Sequence, residues 1–405
     1  IETPVFPRWI WMEEITYSHI PIATIITAFM VLAPIYEYIG YRRKDPRFER
    51  LAKGLIWFVM ILFSPGAALG TGIAVFIIGA YPEFWSRWAN LFFWPLIWQF
   101  GFFLLEVSFL FFGYYLTWQI WSKRKRLHIA MGAAAAACGL LVQLVWDSLG
   151  GYMLTPGAAP LPAVDQPGGL SVRALMNPSF PFLFTHRFFG NISYAMLLTG
   201  GVLALRWMRA KDPKDKAYFD FAANLTFAVG LLAFFAMPVI GWFYARVIQA
   251  EAPIAFAAIM GGHTAPHFTV KMGLILGMLL LAGTYLCARH RKKALPVAVT
   301  AGTVGLVWVV WIHPPLDWVG GRPELWKPVA MAVLAAMAGA TGDAPLTIAG
   351  LGLRNAARRP GRSLAVVALL ACGSFLIVAV GANRLDASAG AADRASGTGG
   401  FALLG

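Results

Sequence analysis

Charge is scarce in this chain of 405 residues. Only 13% of positions are Asp, Glu, Lys or Arg, where a soluble protein of this size carries about a quarter. Acidic residues are scarcer still, 19 against 33 basic ones, for a net charge of +14. Cysteine is nearly missing: Cys138, Cys287 and Cys372 form no CxxC and no CxxCH. That excludes a disulfide framework, a thiolate zinc site and covalent c-type haem attachment. The first residue is Ile1, the opening stretch has no signal-peptide pattern, and the sequence reads as beginning inside a longer precursor. No internal repeat stands out.

Apolar length is what the chain has instead. Hydrophobic residues make up 59% of it and the mean hydropathy is +0.66. Runs near 20 residues fall at about 15–40, 54–80, 90–120, 128–150, 180–206, 218–245, 267–288, 294–313, 325–342 and 364–382. The fold class this predicts is all-α, a polytopic membrane helical bundle in a lipid bilayer. Basic residues gather in alternate connections, at 42–53, 122–126, 206–216, 289–293 and 354–362. The connections between them (81–88, 151–179, 246–266 and 314–324) are poorer in Lys and Arg. The positive-inside rule puts the five basic loops in the cytoplasm and both termini outside. This placement explains the net charge without nucleic acid as a partner. Trp9, Trp11, Trp85, Trp88, Trp121 and Trp318 stand at span ends, as interfacial anchors do.

The topology sorts the seven histidines. His128 and His290 adjoin basic loops and read as solvated. His19, His186, His263, His267 and His313 fall on the outside half, on four spans. Ionisable groups at membrane depth usually mark function. A zinc or copper site needs several converging ligands, often with a carboxylate or thiolate. The evident intramembrane acid is Glu106, and no thiol lies on that half. Haem needs one or two axial ligands per iron, of which Met can be one, and a slot lined by aromatic and small residues. The chain has 30 Phe and 16 Trp, and span 2 carries PGAALGTG at 65–72. Arg187, Arg246 and Lys271 are cations suited to propionates. Haem therefore fits better than a bare metal, with interfacial histidines of no special role as the plain alternative.

Several stretches together resemble subunit I of cytochrome bd-type quinol oxidases. They are YSHIPIATIITAF (17–29), GAALGTGIAVF (66–76), WPLIWQFGFFLLEVSF (94–109) and NPSFPFLFTHRFFGNISYAM (177–196), with APHFTVKMGLILG (265–277) and GGRPELW (320–326). The resemblance covers about 10–342 and implies nine helices of that type, followed here by a tenth. It implies that His19 serves a haem of the oxygen-reducing pair, that His186 and Met272 are axial ligands of a low-spin haem b, and that Glu106 belongs to the proton path. Haem iron would thus be held through His19, His186 and Met272, with Arg187, Lys271, His267 and His313 around the cofactors. Lys271 stands near an arginine of the family. Two or more haem b are implied, with haem d left open, as are a subunit II-like membrane partner, a quinol or cytochrome donor and a place in the respiratory chain of a bacterial inner (cytoplasmic) membrane.

The sequence departs from that pattern at three places. Trp98 and Gln99 stand where the family has a second acid before Glu106. The quinol-binding loop is reduced to about 246–266. The glutamate ligand near the end of span 8 is absent from WIHPPLDWVGGRPELW, where His313 is the substitute ligand and Asp317 the nearest acid. Three functions stay open: a quinol:oxygen oxidoreductase, a haem b electron conduit without oxygen reduction, and a transporter without haem. The expected domains are 1–342, haem-binding; 343–363, a basic linker; and 364–405, which with GLGLRNAARRPGRSLAVVALL resembles the first helix and early extracytoplasmic segment of an FtsX-like ABC exporter permease. No Walker motif occurs, so an ATPase would be a separate chain.

Overall fold

A computed structural model describes residues 8–157 and 175–260, and every element in it is a helix. The chain divides into two compact units, Ile1–Tyr244 and Ala245–Gly405. In order, the helices are α1 (Arg8–Arg43), α2 (Pro46–Ala80), α3 (Pro82–Leu91), α4 (Phe93–Ser108), α5 (Lys125–Leu154), α6 (Phe180–Arg209), α7 (Pro213–Glu251) and α8 (Pro253–Met260). Helix α4 runs on into a π-helical stretch, Phe109–Tyr115, and one 3-10 turn, Ser122–Arg124, precedes α5.

Six helical segments are long and apolar enough to cross a membrane: Ile10–Arg43, Pro46–Ala80, Phe93–Tyr115, Ser122–Leu154, Phe180–Arg209 and Pro213–Glu251. They match the first six sequence spans and are mostly longer. The basic connections shrink because helix continues into them. Between α1 and α2 only Lys44 and Asp45 remain outside helix. Lys44 turns the chain at a left-handed φ of 54°, and Asp45 caps α2 by accepting the Arg47 N–H at 3.0 Å. Pro46 then occupies the first helical position, where its missing N–H costs nothing.

Two expected loops are helical. The stretch 81–88 belongs largely to α3, begun by Pro82 and held by Trp85, Trp88 and Phe92 in ring contact. In the second unit the described part of 246–266 is the end of α7 followed by α8. Spans seven to ten, the linker and the permease-like tail lie outside the described residues.

Helix α1 is central: it packs on α2, α5 and α6, and α4 packs on α5. The core holds Ile25, Phe29, Ala33 and Tyr36 of α1 with Leu55, Ile56 and Val59 of α2. Outward positions such as Trp57, Val75, Phe100, Phe112 and Ile120 are exposed and apolar, as a lipid-facing surface requires. Pro21, Pro34, Pro65 and Pro238 lie inside helices, which membrane bundles tolerate because neighbours re-satisfy freed backbone groups.

Candidate functional site

His19 sits half-buried on α1 against the small-residue stretch of α2. Its Nδ1 is 3.0 Å from the Gly66 carbonyl. A carbonyl only accepts, so Nδ1 carries the proton and Nε2 is left with its lone pair, the tautomer a metal-bound imidazole needs. Gly70 makes room for the ring, since a Cβ there would stand 3.0 Å from His19 Cε1. A second imidazole is cradled in the same way. His186 of α6 faces Gly241 of α7, where a Cβ would come within 3.2 Å of its Cε1. The two histidines sit on α1 and α6, which pack together.

The structure gives Arg187 a protein partner that the sequence reading passed over. Its guanidinium pairs with Asp147 Oδ1 of α5. Asp147 is 1% exposed, and its other oxygen accepts from Gln143 Nε2 at 3.0 Å. Gln143 Oε1 in turn accepts from Asn191 Nδ2 at 3.0 Å. The start of α6 is fixed nearby: Asn177 accepts the Phe180 N–H at 3.1 Å and donates to the Ser148 carbonyl at 2.9 Å.

Glu106 lies on α4, 7% exposed, over Gly139 of α5, where a Cβ would be 2.9 Å from Oε1. Among the described residues no hydrogen bond or ion pair reaches its carboxyl, and the Met30 methyl also approaches the Gly139 position. Two turns earlier on the same face is half-buried Gln99, whereas Trp98 points outward.

Glu106 is not the sole buried acid of the spans. Glu37 near the end of α1 is fully buried and fully engaged. Its Oε1 is 2.7 Å from Lys125 Nζ and 2.8 Å from His128 Nδ1, and its Oε2 accepts from Tyr114 OH at 2.8 Å. This corrects the reading of His128 as a solvated loop residue. Helix α5 begins at Lys125, so His128 falls in its first turn and points inward, 1% exposed, in ring contact with Tyr114 and Trp118. Its Nε2 lies 2.8 Å from the Tyr114 carbonyl and must donate there. One further proton is then shared between His128 Nδ1 and Glu37 Oε1, as imidazolium with carboxylate or as neutral imidazole with carboxylic acid. Lys125 also reaches exposed Glu49.

These acids face three levels of α5: His128 with Glu37, Gly139 with Glu106, and Asp147. At 1.5 Å per residue the levels are about 16 Å and about 12 Å apart. Met272, Lys271, His267 and His313, and the further candidates His263 and Asp317, lie outside the described residues. Among the described residues no group of three His, Cys, Asp or Glu could hold a bare metal ion.

The arrangement is two glycine-cradled histidines in a membrane bundle that also buries the acids Asp147, Glu106 and Glu37. Residues 8–276 match the sequence model described as cytochrome bd terminal oxidase subunit I. The chain belongs to that family. Its fold is similar to that in the structure of bd oxidase from Geobacillus thermodenitrificans, with a TM-score of 0.59 at 15% identity, covering 82% of this chain and 96% of that one. None of the curated proteins is similar enough to match. A bd-type subunit I is thus a multi-pass membrane protein by both its family and its six apolar helices.

Proposed function

We propose that this subunit I is a haem-bearing electron-transfer protein that passes electrons from quinol to oxygen. The observation that carries the proposal is His19: its Nδ1 is committed to the Gly66 carbonyl and Gly70 clears the space beside its ring. His19, His186 and Met272 would hold haem iron, and Arg187, Lys271, His267 and His313 would surround the macrocycles. When bound, two or more haem b, or haem d among them, supply one-electron transfer and an oxygen-binding iron.

The chain's own residues supply the rest. The Gly66 carbonyl orients His19. The packing of α1 on α2 and α6 would limit the access of bulk water to the reacting centre. Glu106, with no cation paired to it among the described residues, is suited to take up a proton and release it toward the oxygen site. A subunit II-like partner would complete the assembly in a bacterial inner membrane, with the basic turns cytoplasmic and both ends of the chain outside.

A second reading, a haem b conduit that does not reduce oxygen, rests on Gln99. An amide at that point of the Glu106 face cannot relay a proton as a carboxylate does. Quinol-driven oxygen consumption by the purified assembly, with carbon monoxide added to the reduced protein, separates the two. Oxygen uptake with a carbon monoxide-shifted haem band supports the oxidase. Quinol-reducible haem b with neither supports the conduit. The permease-like tail and a separate ATPase concern residues outside the described set.

A further inference from the structure

We propose that Asp147 sets the electric field and the orientation of the His186 side of the haem site, acting through Arg187; the inference rests on the haem-binding reading above. Asp147, Gln143, Arg187 and Asn191 form a ladder between two membrane helices. Gln143 and Asp147 are four residues apart on α5, and Arg187 and Asn191 four apart on α6, so each pair presents one face. The order of contacts is Arg187 to Asp147, Gln143 to Asp147 at 3.0 Å and Asn191 to Gln143 at 3.0 Å. Gln143 and Asn191 are each 6% exposed and Asp147 1%, so nearly the whole ladder is withdrawn from solvent.

Three buried polar side chains joined to a half-exposed arginine require a reason beyond holding helices together. Each must be satisfied or it costs stability, and an apolar contact would hold α5 to α6 at less risk. Placement supplies the reason. Arg187 directly follows His186 on α6, and α6 packs on α1, which carries His19. An uncompensated cation there would favour the electron-rich state of a redox group held at His186. Asp147 cancels that charge, and the Gln143–Asn191 pair fixes the rotation of α6 that carries both Arg187 and His186. Asp147 is thus a positioning residue that makes no contact with the cofactor.

Redox titration of the low-spin haem in the purified assembly, followed optically, tests this. Asp147→Asn leaves half-exposed Arg187 unbalanced and is expected to shift the reduction equilibrium toward reduced haem about tenfold, ~59 mV for one electron. Arg187→Gln is expected to shift it the opposite way. The double variant, neutral on both sides, is expected to return near the wild-type potential. Asn191→Leu, which breaks the ladder without changing charge, should leave the reduction equilibrium within about threefold of wild type. A purely structural ladder gives shifts of one sign, with the double variant worst; that result, or no shift in either single variant, overturns the proposal. Should Asp147→Asn fail to fold, the sign of the Arg187→Gln shift decides alone. Haem bands at unshifted potential sink this proposal and leave the haem reading standing. A wild-type chain without haem bands sinks both.

Discussion

Glu37 and Glu106 are the same side chain, both buried in membrane helices, and their surroundings are opposite. Glu37 has three polar atoms around its two oxygens, Lys125 Nζ, His128 Nδ1 and Tyr114 OH. Glu106 has apolar surface and a glycine. Removing one member of a buried, hydrogen-bonded charge cluster strands the others, at a cost of about 3–5 kcal/mol. Removing a carboxyl that has no partner among the described residues strands none of them. Burial alone therefore says little about what an acid does. Glu37 joins α1 to α5 and to the π-helical stretch that follows α4, whereas proton exchange is the role proposed for Glu106.

That contrast can be broken at either end. The largest expected effect is on stability. Glu37→Ala, or His128→Ala, should lower the unfolding free energy by about 3–5 kcal/mol, read as a fall in Tm of the detergent- or nanodisc-held protein. A Tm unchanged within error would mean that the cluster does not hold the helices. Next comes activity. Glu106→Gln should leave Tm and haem content near wild type and cut oxygen reduction at least tenfold, about 1.4 kcal/mol in the barrier; undiminished turnover would remove Glu106 from the proton path.

The smallest effect lies outside the spans. Asp45→Ala removes the α2 cap and should cost ~1 kcal/mol. The Asp45 carboxyl is held below its ordinary range chiefly by its hydrogen bonds from Arg47. Its folded pKa is thus lower than its unfolded one, so the stabilisation is present above roughly pH 4 and is lost as pH falls through the folded value. Acid titration of Tm in wild type and Asp45→Ala should converge below that window. Curves that stay parallel would rule out the cap.

Much of this was legible in the sequence. The six described spans, the resemblance of 177–196 and the candidates His19, His186 and Glu106 follow from hydropathy and motif. What escaped reading has physical causes. His128 follows a run of basic residues and looks solvated, yet a helix starting at Lys125 turns it inward. Glu37 carries a signal that was available: it is eighteen residues from His19, five full helical turns, so both lie on one face of α1. The Asp147 ladder shows only as two polar pairs at spacing four in apolar runs, and nothing in either run says that they meet. Helix α3 escaped because its aromatic residues looked like a span margin, whereas their tilted and edge-on ring contacts accompany a short helix.

The central claim is that glycine-cradled His19 and His186 hold haem. A reduced-minus-oxidised absorbance spectrum of the purified protein, with pyridine haemochromogen analysis to count and type the haems, tests it most directly, in wild type and in His186→Ala. The account predicts low-spin b bands with further carbon monoxide-responsive bands in wild type, and selective loss of the low-spin signal in the variant. No haem in the wild-type protein, or a full complement retained in His186→Ala, would contradict it.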